Sequence, residues 1–125
     1  MSLSKESIKR LRQVKRAILA EPKLYNQRVA PDMADHCGTP CCIAGWAVWI
    51  DNPTHSAYEM ALKTNHGLGR SDMSRSLGIT WEQATLLFAC WPPKFRDAWD
   101  HPGTVKAARA AAARIEHFIA TGGAE

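Results

Sequence analysis

Cys41-Cys-Ile-Ala-Gly-Trp-Ala-Val-Trp-Ile50 is apolar on every side. Thr39 ahead of it suits an N-cap, and Pro40 suits the first helical position, where the missing N–H costs nothing. Asp51-Asn-Pro53 stops the helix. A helix that is hydrophobic all round is a buried one. This one is too short to cross a bilayer, which takes about 20 apolar residues. Ala44, Gly45 and Ala47 are small, so neighbouring helices can approach closely. The expectation is a central helix over about 40–50 with the remaining helices wrapped around it.

The flanks supply those helices. Residues 4–20 read as an amphipathic helix capped by Ser4, with Ile8, Leu11, Val14/Lys15, Ile18 and Leu19 at helical spacing and basic residues on the other face. Pro22 stops it. A long loop over about 21–39 follows, with a weak strand signal at Leu24–Val29. Further helices are expected from Thr54 to about Asn65, from Ser71 as cap to Leu77, and from Thr80 to about Trp91. Thr80-Trp-Glu-Gln83 matches a capping box, and Gly78 suits a left-handed C-cap. Pro93 opens a short helix to about Asp100. Thr104 caps a last helix with Val105, Ala108, Ala112, Ile115, Phe118 and Ile119 on one face, closed by Gly122-Gly123. No alternating strand pattern stands out. The fold class is therefore all-α: a single compact domain over 1–125, of about six or seven helices.

Composition narrows the function classes. The 125 residues fit one domain, and 46% hydrophobic with 22% charged residues excludes disordered and fibrous classes. The start lacks a secretory layout, and the four cysteines (Cys37, Cys41, Cys42 and Cys90) are read as free thiols of a cytoplasmic protein. The net charge is +4, but residues 1–30 hold eight basic residues and two acids, Glu6 and Glu21, so they carry +6. A basic N-terminal helix can attract nucleic acid, anionic lipid or an acidic protein, although an ordinary solvated face explains the same residues. Lys9, Arg12 and Arg16 are its candidate contact residues.

The candidate chemistry centres on Asp35-His36-Cys37-Gly38-Thr39-Pro40-Cys41-Cys42. A cysteine in the first turn of a helix meets free amides and the positive end of the dipole, which favour thiolate. Cys41 or Cys37 with His36, or with His66 if the fold brings it near, has the skeleton of a thiol hydrolase. On an all-apolar helix the same cysteines serve as small core residues. His36, Cys37 and Cys41 are also weak zinc candidates, but no second ligand pair follows and no cofactor is expected. Met73 to Ala84 has the outline of a helix-turn-helix, yet the would-be reading helix Trp81–Trp91 holds no Arg or Lys.

Trp91-Pro-Pro-Lys-Phe-Arg-Asp-Ala-Trp99 interleaves aromatics with prolines and charges. Trp91, Phe95 and Trp99 are candidate contacts for a protein partner. Core packing explains the same residues. Cys37-Gly-Thr-Pro-Cys-Cys-Ile-Ala-Gly-Trp-Ala47, Leu77-Gly-Ile-Thr-Trp-Glu-Gln-Ala-Thr-Leu-Leu-Phe88 and Trp91-Pro-Pro-Lys-Phe95 together resemble segments of small uncharacterised bacterial and phage proteins. The resemblance implies a host-directed binder or inhibitor and assigns no catalytic residue. The expected function is a cytoplasmic, non-enzymatic helical protein that binds a protein partner. The alternatives are a thiol-dependent hydrolase and sequence-independent nucleic-acid binding through the first helix. The oligomeric state stays open.

Overall fold

The computed structural model describes residues 3–24, 43, 46–47, 70–88, 91–101 and 103–125. Five α-helices are bounded within them: α1 (Lys5–Ala20), α2 (Arg70–Leu77), α3 (Trp81–Phe88), α4 (Asp97–Asp100) and α5 (Val105–Ala120). Short 3-10 helices lie at Pro22–Leu24 and Pro93–Phe95. No strand occurs among the described residues, and the fold is all-α in a single domain. Ile43, Trp46 and Ala47 are helical and buried, and they join the same hydrophobic cluster as Leu11, Ile115 and Phe118. The rest of the expected 40–50 helix, the 54–65 helix and residues 25–39 lie outside the described residues.

α1 and α5 form the frame, and they run antiparallel. A side chain at Gly123 would meet Leu3, Glu116 pairs with Arg12 and Lys15, and a side chain at Gly103 would meet the Lys23 carbonyl. α1 starts where Ser4 accepts a hydrogen bond from the Ser7 amide. It buries Ser7, Leu11, Val14 and Ile18, a stripe at i, i+4, i+7 and i+11. Leu19, expected on that face, is 41% exposed. The polar member of the stripe is satisfied: Ser7 Oγ donates to the Gly78 carbonyl at 3.0 Å and accepts from Ser4 Oγ at 2.9 Å.

α2 and α3 form a tight hairpin. Gly78 takes φ 67°, and the Ile79 amide reaches back to the Ser74 carbonyl at 3.1 Å, so α2 ends in a Schellman motif. The capping box is reciprocal: the Gln83 amide donates to Thr80 Oγ1 at 3.1 Å, and the Thr80 amide donates to Gln83 Oε1 at 2.9 Å. Four boundaries differ from expectation. Ser71 is not a cap, because the helix already includes Arg70. Leu24 sits in a 3-10 helix rather than a strand. Trp91 is not helical, because a residue that precedes proline is pushed away from the α region. The segment 93–100 divides into a 3-10 helix and α4, with the Arg96 amide bonded to the Pro93 carbonyl at 3.1 Å between them.

α5 begins where Thr104 accepts from the Ala107 amide and ends in a second Schellman motif, with the Gly123 amide on the Phe118 carbonyl at 2.9 Å. Its buried arc is Ala107, Ala108, Ala111, Ala112, Arg114, Ile115 and Phe118. Val105, expected on that face, is 53% exposed. At 100° per residue it stands about 110° round the helix from the centre of the arc.

Candidate functional site

The stripe that α1 buries fixes what it shows to solvent. Lys5, Lys9, Arg12 and Arg16 are all exposed and lie at i, i+4, i+7 and i+11. Rotation at 100° per residue puts this ridge about 160° from the buried stripe, and the ridge runs about 16 Å along the helix. Lys5, Lys9 and Arg16 have no ion-pair partner among the described residues.

The other basic residues of α1 are committed. Arg10 donates from Nη1 to the Ser76 carbonyl at 2.5 Å and from Nε to Glu6 at 3.2 Å, which sets a cation at the negative end of α2. Lys15 Nζ lies 2.6 Å from Glu116 Oε1, and Arg12 Nε lies 3.4 Å from the same oxygen. The Lys15 ammonium, helped by Arg12, holds the Glu116 carboxyl below the usual glutamate range against a smaller opposing effect of partial burial. One edge of the ridge therefore already holds an anion, and that anion is the protein's own.

The aromatic segment is placed differently. Phe95 is buried at 6% exposure. Trp91 and Trp99 are half-buried against the core and meet edge-to-face at 5.8 Å. Trp91 Nε1 donates to the Leu87 carbonyl at 2.6 Å. Trp91 and Phe95 close over Arg114, which is fully buried. Its guanidinium lies 5.9 Å from the Trp91 ring and 5.9 Å from the Phe95 ring, and Nη2 donates to the Leu86 carbonyl at 3.1 Å. The segment thus acts as a lid on a buried cation. Sequence patterning does not single out Arg114, although it lies on the Ala107, Ala111, Phe118 stripe, where an arginine is out of place.

The helix-turn-helix outline forms an ordinary hairpin. Leu77, Ile79 and Ala84 are buried, while α3 opens with Trp81 and Glu82 outward. A carboxylate at that end opposes a phosphate backbone. His36, Cys37, Cys41, Cys42, His66 and Cys90, which carry the thiol and zinc readings, lie outside the described residues. No cluster of three or more His, Cys, Asp or Glu able to hold a metal occurs among the described residues. No helix among them is long and apolar enough to cross a membrane. His101 and Lys106 each lie 3.8 Å from Asp97, and all three groups are at or near the surface. No family model, curated protein or solved structure matches the chain.

Proposed function

We propose that this protein is a small non-enzymatic binding module that holds the phosphate backbone of nucleic acid against the outer face of α1. One observation carries the reading: the four cations Lys5, Lys9, Arg12 and Arg16 form a single exposed ridge directly opposite the buried stripe. Cations in a row neutralise successive phosphates and release condensed counterions. The ridge offers long flexible side chains rather than a fixed pattern of donors, so it suits phosphate contact without base reading. The buried Phe95 and the half-buried Trp91 and Trp99 favour this surface over the aromatic segment as the point of contact. A cytoplasmic setting and a bacterial or phage origin complete the proposal. The sequence resemblance supports the origin, and the free-thiol reading of the cysteines supports the setting.

Fluorescence anisotropy with a labelled duplex of about 20 bp tests the reading. Three to four neutralised phosphates predict a slope of log K against log salt near −3. Affinity should then fall roughly a hundredfold between about 50 and 200 mM salt. The double variant Lys9→Glu, Arg16→Glu should abolish binding while its thermal melt stays that of the parent, since both positions are exposed. No binding at low salt, or undiminished binding by the variant, refutes the proposal.

A further inference from the structure

A second surface stands apart from the α1 ridge. A groove of about 450 Å³ runs between the Pro93–Phe95 turn and the first half of α5. Val105, Ala110 and Ala113 contribute apolar surface to it above the buried Phe95, and Lys94, Lys106 and Arg109 bring three cations. Its acid, Asp97, already lies 3.8 Å from Lys106 and 3.8 Å from His101. Lys94 lies 5.2 Å over the Phe95 ring, and Arg109 has no ion-pair partner among the described residues. Val105 is 53% exposed although valine gains from burial, and its outward position leaves it on the groove rather than in the core.

We propose that this groove docks an acidic amphipathic segment of a partner protein. The segment's apolar side chains lie on Val105, Ala110 and Ala113, and its carboxylates meet Lys94, Lys106 and Arg109. Two features select this occupant. The excess of cations over acid favours negative charge, which a basic or neutral peptide lacks. The apolar floor gives nothing to a phosphate backbone but rewards a side chain placed between carboxylates. From Val105 to Ala113 the groove spans about 12 Å, the length of two helical turns, so the docked segment is a short helix read through i, i+3 and i+4 contacts. Because the ridge contributes no residue to the groove, the groove stands or falls independently of nucleic-acid binding.

The test uses the full chain, labelled with nitrogen-15, and a capped synthetic peptide of roughly twelve residues with leucines on one helical face and glutamates on the other. Amide shifts confined to 94–97 and 105–113 are expected. Val105→Glu and Arg109→Glu should each weaken binding about tenfold. Both substitutions are on exposed positions, and an unchanged melt separates lost docking from lost folding. A peptide with serine in place of leucine should bind much more weakly. The proposal is overturned if the serine peptide binds equally well, if the shifts fall on α1, or if no shift appears. It is likewise overturned if a DNA duplex moves the same groove amides and displaces the peptide, which would make the groove part of the phosphate surface.

Discussion

Arg114→Ala removes the centre of the buried cluster. The three methylenes of the arginine stem, at about 0.8 kcal/mol each, account for roughly 2.4 kcal/mol. The charge-assisted bond to the Leu86 carbonyl adds about 1.5–3 kcal/mol. Two ring contacts at 5.9 Å add about 1 kcal/mol between them. Against this, the variant no longer keeps a cation out of water, which returns several kcal/mol. The net loss should be about 3 kcal/mol, a large share of the ~5–15 kcal/mol that holds a domain together. Arg114→Met separates the contributions. It restores most of the stem but omits the charge and its bond to the Leu86 carbonyl, so about 1–2 kcal/mol should be lost. Urea unfolding followed by far-UV circular dichroism, with an unchanged m-value, measures both. If Arg114→Ala costs less than about 1 kcal/mol, the guanidinium is not buried beneath Trp91 and Phe95. If methionine is as damaging as alanine, the stem contributes nothing and the charge alone matters.

Glu116 links stability to pH and to the ridge. Its carboxyl pKa is lowered in the folded state, so the pair with Lys15 and Arg12 stabilises above the ordinary glutamate value of 4.5 and is lost as pH falls through the folded value. Glu116→Gln should flatten this acid limb in urea titrations across pH. It should cost under about 1 kcal/mol at neutral pH, because the side chain is 39% exposed. The same variant frees Arg12 and Lys15, so duplex binding should tighten and its salt slope steepen in the anisotropy assay. At Gly78, alanine meets both φ 67° and Ser7 Oγ at 3.3 Å, and a loss of about 1–2 kcal/mol in chemical unfolding is expected. A Gly78→Ala variant as stable as the parent would refute the left-handed cap.

The helices of the flanks are legible because their signals are local. Ser4, Thr80 with Gln83, and Thr104 cap the helices that the sequence assigns to them, through bonds that span three residues. Gly78 and Gly122 carry the positive φ that their places after α2 and α5 imply. Where the sequence misleads, the error is angular. The width of the buried arc on α5 depends on which elements cover it, and periodicity alone does not contain them. α5 buries Ala107, Ala111 and Arg114 beyond the expected stripe, while Val105 is exposed and Ile119 only partly buried. The aromatic segment misleads for a related reason. Prolines and charges between aromatics fit an exposed loop, but Arg114, 15 residues beyond Trp99, supplies a buried partner that no local window contains.

The basic count of the first 30 residues does not by itself define a binding surface, because the fold divides those cations by their angle on α1. Arg10 turns toward α2 and serves the Ser76 carbonyl, and Lys15 turns toward α5 and serves Glu116. Lys5, Lys9 and Arg16 stand on the face opposite the buried stripe, and Arg12 stands between the two groups with one bond to Glu116. A purely structural need for cations on α1 would be met by Arg10 and Lys15 alone. A need for solubility would be met by mixed signs, which surface helices ordinarily carry. Among the described residues only Arg12 of the ridge has an ion-pair partner, and cations at i, i+3 and i+4 repel one another. That repulsion is relieved when an anion of matching length lies along it, which is why the ridge, rather than the total charge, supports a phosphate-binding role.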